Sequence, residues 1–186
     1  MKTAASFSHW LAGAWRRYRR NERGAAAAEL ACCLALFTYP ALMVTELGYY
    51  IYEMMEVEVA TQSAAQAIWK TCDVPSEYPA TINCGSAMTT ARDAAVQSTS
   101  LGTQVSVTST TEDYYCLVGG TLTAMGANLN AKKPANCTSV GGSANDTPGD
   151  YVLVTTSFTY TPIFGGLALV SLLPSTITRT AWTRVY

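Results

Sequence analysis

The sequence predicts an α+β protein in which a long N-terminal transmembrane and stalk helix packs on a small antiparallel sheet. Three observations carry this. Residues 24–45, between Arg23 and Glu46, hold a single charge, Glu29. As a helix they span about 33 Å, enough for a hydrocarbon core of about 30 Å. Helical sequence then continues without proline to Thr71. Finally, the stretch from Asp150 to Tyr160 alternates, with Val152, Val154, Thr156, Phe158 and Tyr160 on one face, as a strand requires.

The anchor is rich in alanine and leucine, which favour helix. Pro40 is its one internal breaker and predicts a kink, which membrane helices tolerate. Six basic residues (Lys2, Arg16, Arg17, Arg19, Arg20 and Arg23) precede the span, and no Lys or Arg follows until Lys70. The positive-inside rule therefore predicts a cytoplasmic N-terminus and a head outside. An ordinary secretory signal fits poorly. Glu29 interrupts the apolar run, the run exceeds the 7–15 residues such a signal needs, and helix follows where a cleavage loop belongs. A plain signal anchor accounts for everything except Gly24 and Glu29.

Beyond the span, Tyr49, Tyr50 and Tyr52 predict an aromatic belt at the membrane surface. Two stripes then share the stalk. Ile51, Met55, Val59, Gln62, Gln66 and Trp69 recur at three- or four-residue steps, as do Ile51, Met54 and Glu58, while Ala60, Ala64, Ala67 and Ile68 make a small-residue stripe. One helix from about 25 to 70 would be about 69 Å long. Cys72 ends it, and a Pro/Ser/Asn-rich loop runs to Gly85. A second helix is expected from Ser86, which can cap it, with Met88, Ala91, Ala95 and Ser98 at helical spacing and Gly102 as the stop. Residues 103–111 alternate and read as a strand. Residues 112–149 are loop-rich, with one short strand near Tyr114–Leu122. Residues 162–174 are apolar but only 13 long, too short to span, and read as a crossover loop or short helix on the stalk. Residues 175–186 close the chain as a strand.

Composition narrows the function. Charged residues are 13% of the chain, about half the share usual for a soluble domain. The first 24 residues carry a net charge of +5 and the other 162 carry −6. An acidic body does not suit a phosphate backbone, so no nucleic-acid partner is expected. The single histidine, His9, lies in the basic segment, which removes Ser-His-Asp and Cys-His catalysis and His-ligated zinc from the body. No phosphate-binding loop, nucleophile elbow or dinucleotide fingerprint occurs. Glu112-Asp113 and Asp146/Asp150 are the candidate carboxylates. The second pair sits in a Gly/Pro loop that could hold Ca²⁺ weakly, although a solvated turn is the better reading for so few acids. No cofactor, no metal and no enzymatic activity are expected.

Of six cysteines, Cys32 and Cys33 lie within the span, where they read as small apolar residues. Cys72, Cys84, Cys116 and Cys137 lie in the head. Four cysteines allow three connectivities, and chain order favours 72–84 with 116–137. Such bonds fit an oxidising compartment such as a bacterial periplasm or cell surface.

The run Arg16-Arg-Tyr-Arg-Arg-Asn-Glu-Arg-Gly24, followed by Ala25-Ala-Ala-Ala-Glu29, resembles the prepilin signal of type IV pilin-like proteins. It is most similar to the TadE-like minor pilins, or pseudopilins, of the tight-adherence (Flp) pilus. Glu46-Leu47-Gly48 after the span resembles the same family, as does the ending, Tyr160-x-Pro162-x-Phe164 with an apolar segment and a terminal strand containing arginine. Leu30 stands where the major Flp pilin carries tyrosine, which favours a minor pilin. The resemblance covers the first 50 residues and the last 35.

It implies a pilin-like fold divided into a basic prepilin leader (1–24), the transmembrane part of the helix (25–46), a stalk helix (47–71) and a disulfide-stapled extracytoplasmic head (72–186). It implies cleavage between Gly24 and Ala25 by a prepilin peptidase, and assembly through Glu29 paired with the new α-amine of a neighbouring subunit. The implied partners are other pilin and minor pilin subunits, the inner-membrane pilus assembly platform and membrane lipid. The implied function is assembly of a pilus for surface attachment from a bacterial inner membrane, with the head periplasmic or within an extracellular pilus. The competing reading is an uncleaved single-pass, membrane-anchored binding protein or adhesin.

Overall fold

In the computed structural model, residues 22–165 and 170–185 are described. The chain falls into two units, one ending at Leu47 and the other running from Gly48 to Tyr186. Helix α1 (Glu22–Thr71) runs through both, with Pro40 inside it. In the first unit, residues 25–41 are exposed throughout, including Leu30, Leu34, Leu36, Phe37 and Tyr39. This helix is long and apolar enough to cross a membrane, and none of its apolar window is buried in the protein.

The second unit is α+β. After α1 come α2 (Ala80–Asn83), α3 (Gly85–Gln97) and four strands: β1 (Val105–Val118), β2 (Thr121–Ala124), β3 (Gly149–Thr159) and β4 (Thr176–Arg184). The strands form one antiparallel sheet in the order β2-β1-β3-β4. Val152, Val154, Thr156 and Phe158 of β3 are buried, as their alternation predicted, together with Ile177 and Ala181 of β4. Against them lie Val57, Ala60, Ala64, Ala65 and Ile68 of α1 in one core.

The stalk therefore buries Ala60, Ala64 and Ile68 of its small-residue stripe and half-buries Ala67. The larger set is exposed: Ile51 at 45%, Met55 at 61%, Val59 at 51% and Trp69 at 53%. Alanine lets the helix backbone come close to the sheet, close enough for the buried Thr61 hydroxyl to meet that of Thr156 at 2.5 Å. A leucine or methionine stripe would hold the two layers farther apart. The aromatic belt is also corrected in part. Tyr50 is buried edge-on against Tyr160, with ring centroids 5.0 Å apart, whereas Tyr52 is exposed.

Three boundaries differ from the sequence reading. The second helix, α3, starts at Gly85 after Cys84, not on a Ser86 cap, and ends at Gln97 rather than running to Gly102. The loop before it contains the extra short helix α2. Strand β1 runs on to Val118, so the short strand expected across Tyr114–Leu122 is split between β1 and β2. Gly119 and Gly120, with φ of 58° and 87°, form the two-residue turn between them, a conformation that suits glycine. The register of β1 slips between Val107 and Ser109, and the buried positions pass from Val105 to the even-numbered Tyr114 and Cys116. Such a bulge hides a long strand from any pattern that demands unbroken alternation. The apolar segment 162–174 falls partly outside the described residues; its described end, Val170–Leu172, is a single 3₁₀ turn.

Candidate functional site

Gly24 and Ala25 both lie within α1, two and three residues after Glu22. Adding a side chain at Gly24 would meet nothing within 4 Å. Glu29 is exposed on the helix one turn beyond Ala25, with the apolar run following it. The geometry thus presents a small, unobstructed dipeptide and a carboxylate on an otherwise uncharged helical surface. A carboxylate in that position costs roughly 2.5–3.5 kcal/mol deep in a bilayer, and less near its edge, so a cation beside it would be stabilising. Cys32 and Cys33 are exposed and unbonded.

In the head, Cys72 bonds Cys84 and Cys116 bonds Cys137. The first bond joins the end of α1 to the start of α3 and closes the loop that carries α2. The second ties β1 to the loop before β3. All four cysteines are buried, so the bonds are part of the packed head.

The carboxylates sort into three different environments. Glu112, on the inner face of β1, accepts the Ala80 and Thr81 amides at 2.7 Å each, and the Thr81 hydroxyl as well. Asp113, on the opposite face, accepts the Tyr114, Gly126 and Ala127 amides. Asp146 closes a local turn with Ser143, as a solvated turn would. Asp150 of β3 is 1% exposed, and its Oδ1 has no hydrogen-bond partner. It pairs with Tyr114 across the strands, which makes Glu112 its diagonal neighbour on the same face.

Burial pushes Asp150 up to about 7, reinforced by the charge of Glu112 and a hydrogen bond with it, and opposed by Lys133. Burial also raises Tyr114, with Asp150, Glu112 and Asp113 adding to the effect. Burial lowers Lys133, while Asp150 pulls it back up and Arg184 adds to the lowering. A cavity of about 250 Å³ opens beside this group, lined by Pro75, Tyr78, Pro79, Tyr114, Ala131, Lys133 and Asp150.

The two acids once paired in the Gly/Pro loop, Asp146 and Asp150, thus have separate settings. Among the described residues no group of three or more His, Cys, Asp or Glu side chains could hold a metal ion. The Glu112–Asp150 pairing was missed from sequence, because 37 intervening residues hide a contact that only strand register creates. Glu53, buried on α1 with Oε2 unpartnered, was missed as well. A glutamate inside a helix reads as exposed unless its face is known.

Compared with protein-family models, curated proteins and solved structures, the chain matches none of them.

Proposed function

We propose that this chain is a minor pilin, or pseudopilin, of the tight-adherence type, serving assembly of a pilus used in surface attachment. One observation carries the reading: a basic segment ends in Gly24, Glu29 follows five residues later, and an exposed apolar helix runs from there into a disulfide-bonded α+β head. The basic residues ahead of the span orient it with the head outside the cytoplasmic membrane. Leader removal after Gly24 by a prepilin peptidase frees the Ala25 amine, and Glu29 offers a counter-charge to the corresponding amine of a neighbouring subunit. The other partners are pilin subunits, the inner-membrane assembly platform and lipid. Within this reading the chain has no enzymatic role.

The test uses two substitutions in the producing bacterium. Gly24→Val should leave a precursor heavier by the 24-residue leader. Glu29→Ala should be cleaved and inserted normally, yet support few or no pili by electron microscopy. Normal pilus counts with Glu29→Ala would remove the pairing role. A wild-type protein retaining residues 1–24 in piliated cells would remove the pilin reading.

A second reading is an uncleaved single-pass anchored binding protein or adhesin. It is favoured by the helical backbone at Gly24 and Ala25, which a peptidase must unwind before cutting. Sequencing the N-terminus of the mature protein separates the two.

A further inference from the structure

We propose that Glu112 and Asp150 form a proton-operated latch, which holds the Cys72–Cys84 loop on the sheet under acidic conditions and loosens it as the surroundings become alkaline. This stands apart from the pilus reading and concerns any role the head performs.

The geometry begins with Glu112. Its two oxygens are the anchor for the Ala80 and Thr81 amides and the Thr81 hydroxyl. These contacts join α2, the last four residues of the disulfide-closed loop before Cys84, to β1. The bond between Cys72 and Cys84 fixes the ends of that loop, and Glu112 supplies the hydrogen bonds that tie its second half, at Ala80 and Thr81, to the sheet. Asp150 sits diagonally behind Glu112 on the inner face, 1% exposed, and forms part of the wall of the cavity.

Two carboxylates this close cannot both be charged without opposing each other, and burial denies them the screening of water. When Asp150 carries a proton, its hydroxyl can donate to Glu112, and the Glu112 charge remains available to the two amides. When Asp150 ionises, that donated bond is lost and repulsion replaces it. The unpartnered Oδ1 then draws water or the Lys133 ammonium through the cavity. Glu112 is the partner free to yield, because it alone can exchange its amides for solvent by letting the loop lift.

The groups facing Asp150 come from three sides. Strand β1 supplies Glu112 and Tyr114, with the charge of Asp113 acting from its opposite face, and the loop before β3 supplies Lys133, whose Nζ lies 5.8 Å from the centre of the Tyr114 ring. The 72–84 loop supplies Tyr78 to the same cavity wall. Arg184 of β4 acts on this cluster through Lys133. Of these, Lys133 is the one cation opposing the ionisation penalty directly. With Asp150 raised to about 7, the switch falls near neutral pH.

Hydrogen exchange tests this on the full chain in detergent micelles, with rates corrected for intrinsic exchange at each pH. Between pH 5.5 and 8.5 the protection of the Ala80 and Thr81 amides should fall about tenfold or more, while that of Cys72, bonded within the end of α1, stays constant. Asp150→Asn, which keeps a donor and cannot ionise, should hold protection high at both extremes. Lys133→Met should move the midpoint to higher pH. Constant protection in the wild type would overturn the latch, and so would an unchanged fall in Asp150→Asn. Carbon-13 NMR of the wild-type carboxyl groups gives a measurement free of folding defects: an Asp150 titration near neutrality supports the latch, and one near 4 overturns it.

Discussion

Among the described residues, Asp150 is one whose pKa burial displaces far from that of its type, to about 7. In an unfolded chain its carboxyl titrates near the ordinary value of 3.8, and in the folded head near 7. Between those limits the folded protein binds the extra proton, so its stability must fall as pH rises from about 4 to about 7 and level off above. Each unit of such a difference corresponds to about 1.4 kcal/mol, so the effect amounts to a few kcal/mol at most. Urea unfolding at pH 5 and pH 8 should find the wild-type head more stable at pH 5, with Asp150→Asn removing most of the difference. Thr61 makes a simpler contribution. Its hydroxyl donates to the Val57 carbonyl at 2.6 Å and pairs with Thr156, so two buried hydroxyls satisfy each other across helix and sheet. Glu58 and Arg179, 3.3 Å apart but partly solvated, add little to stability by comparison.

Among the elements, α1 carries two jobs on two faces. The face toward the sheet is Val57, Ala60, Thr61, Ala64, Ala65 and Ile68, and it is nearly all small. The other face keeps Ile51, Met55, Val59 and Trp69 exposed. Ala64→Leu inserts three carbons where no space remains and should destabilise the head by about 1–3 kcal/mol in urea unfolding. Met55→Glu, on the exposed face, should change it by no more than about 0.5 kcal/mol. If the two substitutions had equal effects, the assignment of faces would be wrong. Strand β1 joins this helix to the carboxylates. Its bulge near Val107–Ser109 resets which side chains face inward, and so places Glu112, Tyr114 and Cys116 on the buried side.

At the scale of the whole molecule, the head must hold long loops with a modest core. The loop from Met125 to Pro148 is without strand or α-helix, and its principal covalent tie is Cys116–Cys137. Gly142 packs against that bond so closely that an added Cβ would stand 2.6 Å from the Cβ of Cys137. Cys137→Ser should therefore lower head stability by about 2–4 kcal/mol, read as an earlier urea midpoint that matches the reduced wild type when Cys72–Cys84 is kept intact. An unchanged midpoint would mean that the loop is held by other contacts. None of the apolar window of α1 is buried in the protein, and this helix is long and apolar enough to cross a membrane.

Much of this was legible in the sequence because it depends on local or compositional facts. The apolar length of residues 24–45, the unbroken helix to Thr71 and the alternation of 150–160 each follow from the period of one element, and each is present in the structure. The cysteine pairing favoured by chain order was also met, because short loops close first between neighbours. The choice between the two stripes of the stalk was not legible. Both have helical spacing, and only the partner surface decides which is covered. The alanine face is the one covered because it meets the inner faces of β3 and β4, and that meeting is not written in the spacing of α1. The Glu112–Asp150 pair required the non-local pairing of β1 with β3, a bulge and a strand register together. Distant residues acquire shared chemistry only when the folded chain sets them side by side.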